Sequence, residues 1–596
     1  MQKLLSYYTE FKKFLSRKQW QESLAFFKKY YIWINKQTLR NKILLGGAFS
    51  IVVILPVIFL GVLYFRSFSL NKNVHYAFQI IPGSAVAYIE IKDTEAIIEK
   101  YRDSKLGKEI QNSSEWQNLF ATPDFNNLIP EIHLFEIKTS INIEFSDIPD
   151  YFQTAGIAFM PDHSRLIVAK TNLKSKIGIQ LLSMFQEQAQ IPDASSKASA
   201  KEKPSGREED NSQEVPETFA GEFNSEKIDY SNLSIQKIFS GDSQLYFILM
   251  DDYIIASDSL ESVKAGIIEA SSSSGGLFYG KYGEKNIIDH YDSDDATVLV
   301  YMDTKESLSA PLLNLVLESD KAAAVFHFNS EFIPSGKIFA LDKNEMKQEK
   351  TSSRTSWEHK LPDDFVAGFM IHNKSMEEVY SRTQSLGKNW LEFSEGIAGF
   401  KKSSGLELQN SADGFLLAFH GLHSQQNTLI PHFSFVFHSD QYDEKMLQSV
   451  FLQKKKFNEN HQNKQYVSYS SGSRAFYSPS AYHSNGFMYL SSAREIMKDY
   501  ISAENGNRPV MSDSIFYQKN DAVKNAHAHL IVNVKNAFQS LLEFYRYGAS
   551  RSEEYTAATI TNDVEPLLLP FKNYSYIHLF FMSEPDHAGE IHFVTD

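Results

Sequence analysis

Ile81-Pro-Gly-Ser-Ala-Val-Ala-Tyr-Ile-Glu-Ile91 and Leu361-Pro-Asp-Asp-Phe-Val-Ala-Gly-Phe-Met-Ile371 are two versions of one pattern, met 280 positions apart. Without a gap, Pro82 aligns with Pro362, Val86-Ala87 with Val366-Ala367, Ile91 with Ile371 and Arg102 with Arg382. Leu106-Gly107-Lys108 then aligns with Leu386-Gly387-Lys388. A handful of identities can arise by chance, so order along the chain must carry the case. Further matches keep that order: Ser257 to Ile267 with Ser491 to Ile501, Ala296 to Met302 with Ala528 to Val534, and Ser330 to Ile338 with Ser583 to Ile591. The offset changes only across loop-like sequence, where insertions are tolerated. The pattern predicts an internal duplication.

Each version opens with a proline and an apolar strand, followed by a helix started at Asp93-Thr94 or at the capping box Ser375-x-x-Glu378. Gly107 and Gly387 are expected at helix C-caps. Gln244 to Met250, Thr297 to Tyr301 and Tyr576 to Phe581 read as strands, and Leu260 to Ala270 as a helix. The expected fold is α+β: two tandem modules, residues 76–345 and 359–596, with mixed or antiparallel sheets covered by helices. A linker at 346–358 separates them. Asp193 to Glu217 has no aromatic residue and is almost wholly polar or small, so it is expected to be a disordered insertion.

Upstream lies a different kind of sequence. Ile43 to Phe65 is 23 uncharged residues, about 35 Å as a helix at about 1.5 Å per residue, which is enough to cross a bilayer. No small-residue cleavage site follows, so an uncleaved anchor is expected, with 66–75 as a linker. Lys28, Lys29, Lys36, Arg40 and Lys42 precede the span, and only Arg66 and Lys72 closely follow it. The positive-inside rule therefore puts residues 1–42 in the cytoplasm and the bulk in the periplasm or extracytoplasmic space. Leu4, Tyr8, Phe11 and Leu15, then Phe26, Phe27, Tyr30, Tyr31 and Trp33 among lysines, suit a helix lying on anionic lipid.

Ten Lys and Arg stand against Glu10 and Glu22 before Ile43, a surplus of eight, in a chain whose net charge is -14. The residues beyond Phe65 thus carry -22, a balance that repels phosphate backbones and argues against nucleic-acid binding. No cysteine is present, which excludes disulfides, thiolate nucleophiles and cysteine-ligated metals.

The apolar-Pro-x-x-x-Val-Ala-x-x-x-Ile opening, the helix and the Leu-Gly-Lys triplet, shortly after an anchor, resemble the bacterial family known as domain of unknown function 3352. The resemblance implies a membrane-anchored envelope protein with a repeated α+β unit, and it carries no catalytic residues.

Candidate chemistry is sparse. His527-Ala-His529 places two imidazoles on one side of a strand, yet a third ligand is missing and the aligned positions are Asp295 and Thr297. Asp289, Asp292, Asp294 and Asp295 lack the glycine and terminal glutamate of a calcium loop and read as a solvated turn. His420-Gly-Leu-His423 reads as turn chemistry, and Gly280-Lys-Tyr-Gly283 lacks the setting of a phosphate loop. No residue is assigned a catalytic, cofactor-binding or metal-binding role. The sequence points to a non-catalytic scaffold or binding module of the envelope. Its partners would be the bilayer, through 43–65 and the basic segment, and an envelope protein or ligand. The alternative is a hydrolase or a lipid- or peptide-handling protein with its site between the two modules.

Overall fold

The computed structural model describes residues 74–120, 148–172, 224–342 apart from 241–242, 273–275, 282, 305–315 and 318, then 357–372, 414–439 apart from 426–427, 455–470, 478–511, 516, 520, 526–549, and 565–595 apart from 583 and 585–586. Residues 1–42, the 43–65 span, the 193–217 insertion and the capping box at Ser375 lie outside them. Among the described residues no helix is long and apolar enough to cross a membrane.

The elements in chain order are β1 (Ala87–Ile91), α1 (Thr94–Asp103), α2 (Lys105–Asn112), α3 (Ser114–Phe120), β2 (Phe152–Phe159), β3 (Arg165–Thr171), β4 (Asn224–Tyr230), β5 (Leu233–Ser240), β6 (Ser243–Met250), β7 (Tyr253–Ser257), α4 (Leu260–Ser271), α5 (Glu284–Tyr291), β8 (Thr297–Asp303), β9 (Lys321–Phe328) and β10 (Pro334–Ala340). They continue with β11 (Ala367–His372), β12 (Gly414–Gln425), β13 (Thr428–His438), β14 (Lys455–His461), β15 (Lys464–Ser470), β16 (Ser480–Ser484), β17 (Phe487–Ser491), α6 (Arg494–Glu504), β18 (Ala528–Asn533), α7 (Val534–Ala549), β19 (Tyr574–Phe581) and β20 (Gly589–Thr595). The class is mixed α+β, and the strand pairs whose register the structure describes are antiparallel. The strands expected at Gln244, Thr297 and Tyr576 and the helix expected at Leu260 are all present.

Two compact units divide the chain, one drawn from residues up to Ala85 and 126–277, the other from 86–125 and 278–596. In the first, β2-β3-β7-β6-β5-β4 form an antiparallel sheet. All five residues of β7 are buried, as expected of a strand covered on both faces. On one face α4 packs Val263 and Ile267, and Gly266 lets it approach: an added Cβ there would stand 3.0 Å from Ile255 Cγ2. On the other, Ala169, Ile238, Leu245, Phe247, Leu249, Ile254 and Ala256 form one apolar cluster.

The second unit holds a longer antiparallel sheet, β1-β8-β9-β10-β20-β19-β18-β11-β12-β13-β17-β16-β15-β14. Its stretch β12-β13-β17-β16-β15-β14 repeats the strand order of the first unit's sheet, and β11-β18-β19-β20 repeats β1-β8-β9-β10. α6 follows β17 as α4 follows β7. One face is filled by Trp357, Leu361, Phe365, Met370 and Met497, the other by Ile338, Phe369, Phe415, Phe437, Phe581 and Ile591.

The seam between β10 and β20 is short and symmetric. It pairs Gly336 with Ile591, Lys337 with Glu590 and Ile338 with Gly589. These are the positions that the sequence aligns with one another, Gly336 with Gly589 and Ile338 with Ile591, so the pairing has a local twofold through Lys337 and Glu590.

Two expectations are corrected. His420 and His423, expected in a turn, lie within β12, where the register with β13 shifts between Phe419 and Gly421. Asp93 caps α1, accepting from the Ala96 amide at 3.0 Å, but Gly107 does not end that helix. The helix stops at Asp103, and Ser104 restarts the chain as the N-cap of α2, its Oγ accepting from the Gly107 amide at 2.9 Å. Glycine is needed there because a Cβ would run into the Tyr101 carbonyl oxygen.

Candidate functional site

The residues singled out by their chemistry do not converge. His527 Nε2 faces the Val316 carbonyl at 3.4 Å, whereas His529 is buried with its Nε2 3.1 Å from His578 Nδ1. His527 immediately precedes β18, its backbone bonded to His372 and Phe581. The acidic turn is matched by lysines. Asp294 accepts from the Ala296 amide and pairs with Lys100 at 3.4 Å, and Lys92 reaches Asp292 and Asp295. Gly280 and Gly283 adopt positive φ in a turn, and the Gly280 amide donates to Glu284 at 2.9 Å, which occupies a donor a phosphate would need. Among the described residues no three His, Asp or Glu side chains are placed to hold a metal.

Two polar networks were not legible in the sequence. His420 Nε2 lies 2.7 Å from Ser434 Oγ, which lies 2.7 Å from the Tyr500 hydroxyl. Burial holds His420 neutral, its pKa near 3. Ser434 is only 2% exposed and His420 half-buried, and their bonds tie β12 and β13 to α6. At the seam, Glu590 accepts from His587 at 3.2 Å and His592 at 2.9 Å, and these bonds hold its carboxyl well below the usual range. His592 stands across the ladder from His578, whose burial lowers its pKa to about 3.

The opposite side of the seam carries a cavity of about 250 Å³. Its wall comes from five places in the sequence: Leu106 of α2; Phe328, Phe332 and Pro334 around the β9–β10 turn; Val534 and Phe538 of α7; Phe571 and Tyr574; and Ile577 and Phe593. Only Tyr574 brings a polar group, and its hydroxyl reaches the Phe332 carbonyl at 3.4 Å. Burial raises the Tyr574 pKa, which keeps it neutral.

The turn that supplies Phe332 is held by a side chain. Asn329 Oδ1 accepts from the Glu331 and Ile333 amides, and Phe332 sits at φ +61°. A bulky residue in the left-handed region costs roughly 1–3 kcal/mol, and such strain gathers where a side chain must be aimed. Here it places the Phe332 ring on Phe328, 4.6 Å between centroids, with Tyr101 edge-on at 5.4 Å. Across the cavity Phe571 meets Phe538 and Trp116, each at 6.2 Å, and Trp116 Nε1 donates to the Leu567 carbonyl. Lys105 Nζ donates to Asn573 Oδ1 at 2.8 Å beside the rim, joining α2 to the turn before β19.

No protein-family profile matches the chain, and no curated protein matches it. Among solved structures, two crystal forms of TP0453 are similar in part. Form III, at 8% identity and a TM-score of 0.23, covers 45% of this chain and 81% of its own; form I, at 7% and 0.20, covers 72% and 98%. Neither likeness is strong enough to carry an argument about fold or function.

Proposed function

We propose that this chain is a membrane-anchored, extracytoplasmic binding module made of two fused α+β copies, and that it holds an apolar ligand where the copies meet. The observation that carries the reading is the cavity. Leu106, Phe328, Phe332 and Pro334 come from the first copy, and Val534, Phe538, Phe571, Tyr574, Ile577 and Phe593 from the second. A wall of rings with one engaged hydroxyl suits a ligand with no polar group to satisfy, since ligand sites favour such junctions. The duplication is supported by the recurring strand order and by the symmetric seam of β10 and β20. The anchor rests on the 23 uncharged residues from Ile43 to Phe65, and its direction on the lysines before them.

The test is to extract the full chain from its membrane in mild detergent and identify by mass spectrometry what stays bound. A stoichiometric apolar molecule is expected, and it should be absent from an Ile577→Trp variant, whose added ring fills the cavity. An empty wild-type chain that also fails to take up an apolar dye would overturn the reading. External protease on intact inner membranes should digest the bulk of the chain and spare residues 1–42.

A further inference from the structure

The cavity does not end at its wall. α7 contributes Val534 and Phe538 to the lining, and the same helical stripe continues at Leu541 and Tyr545, spaced i, i+4, i+7, i+11. Leu541 and Tyr545 are 39% and 44% exposed, and Phe544 beside them is 54% exposed. Leu569, at the start of the turn that supplies Phe571, is exposed as well. From Phe538 to Tyr545 the stripe runs about 10 Å at 1.5 Å per residue. An apolar surface that leaves a cavity and continues along a helix in one direction has the form of a track for something long, thin and apolar.

Resting on the reading of the cavity as an apolar site, we propose that its ligand is a single acyl chain longer than the cavity. Its end lies between Phe328, Phe593 and Ile577, and its head-proximal part lies on the Leu541–Tyr545 stripe of α7. A compact ring system would fill the cavity and leave the stripe unused. An acyl chain covers both, with about 0.8 kcal/mol per methylene fully buried, or about fourfold in affinity, and about half that energy where one side stays wet. Its head group, outside the apolar surface, needs no buried partner, which agrees with a wall that offers none.

The test uses the full chain in its native membrane with two palmitate probes, one carrying a diazirine at the chain end and one beside the carboxyl. After irradiation, the chain-end probe is expected to mark peptides containing Ile577 and Phe593, and the carboxyl-side probe α7. Leu541→Ser with Tyr545→Ser, both at sites more than a third exposed, should cut chain-end labelling by at least about threefold in a chain whose thermal melt is unchanged. Phe457→Ser, an exposed apolar residue on β14, should leave it unchanged. Chain-end marking of the cavity without marking of α7, and without an effect of the double variant, would overturn the track while leaving the apolar cavity standing. Adducts confined to residues 43–65 would overturn both.

Discussion

Lys281 is the most informative side chain to replace. Its ammonium is buried, with no hydrogen-bond partner among the described residues, 5.1 Å from the centre of the Tyr301 ring, and the Tyr301 hydroxyl is equally buried and unpartnered. Burial, with Lys321 adding repulsion, lowers its pKa from 10.5 to about 8, against the pull of Asp303 and Asp342. A drop of that size corresponds to roughly 3 kcal/mol at 1.36 kcal/mol per unit. Discounted for partial access to solvent, it leaves about 2 kcal/mol. The sign follows from proton counting. Between pH 8 and 10.5 the unfolded chain binds the proton that the folded chain has lost, so stability rises with pH across that window. Below pH 8 both states are charged and the full penalty stands. Lys281→Met, similar in length and neutral, should therefore stabilise the unit by about 2 kcal/mol at pH 7.5 and by almost nothing at pH 10.5. Urea unfolding of both forms at the two pH values measures this directly. A gain that persists at pH 10.5 would mean better packing, not relief of charge, and no gain at pH 7.5 would show that the ammonium is solvated.

Three other changes test the frame around the cavity. Gly107→Ala should cost about 3 kcal/mol or more in a thermal melt, because the new Cβ collides with the Tyr101 backbone carbonyl and α2 must shift. Asp93→Ala should cost about 1 kcal/mol by removing the cap on the Ala96 amide, and Asp93→Asn should restore most of it. Glu590 has a lowered folded pKa, so its contribution is present above its unfolded value and fades as pH falls toward the folded one. Glu590→Gln should thus lower stability at pH 7 by about 1–2 kcal/mol and make little difference under strongly acidic conditions.

The parts of this fold that were legible are those that local sequence dictates. Strand periodicity located β6, β8 and β19, and Asp93 marked the start of α1. The sequence alignment sets Gly336 against Gly589, and β10 and β20 pair at these positions, Gly336 opposite Ile591 and Gly589 opposite Ile338. Gly107 was misread because a glycine after a helical run usually marks its end, whereas here a serine two residues after Arg102 had already broken and restarted the helix. The cavity was illegible for a deeper reason. Its ten residues are spread from Leu106 to Phe593, and in a chain with 45 Phe and 30 Tyr no single ring stands out from the core. Two local signs did exist. Phe332 occupies a turn position where asparagine or glycine is usual, and α7 carries more apolar residues than one packed face can use, with Leu541, Phe544 and Tyr545 left over. A residue that is costly where it stands and a helix face too wide for its contacts both require an explanation outside the core. In this molecule the two meet at one place, which is why the cavity, and not the buried histidines, carries the functional reading.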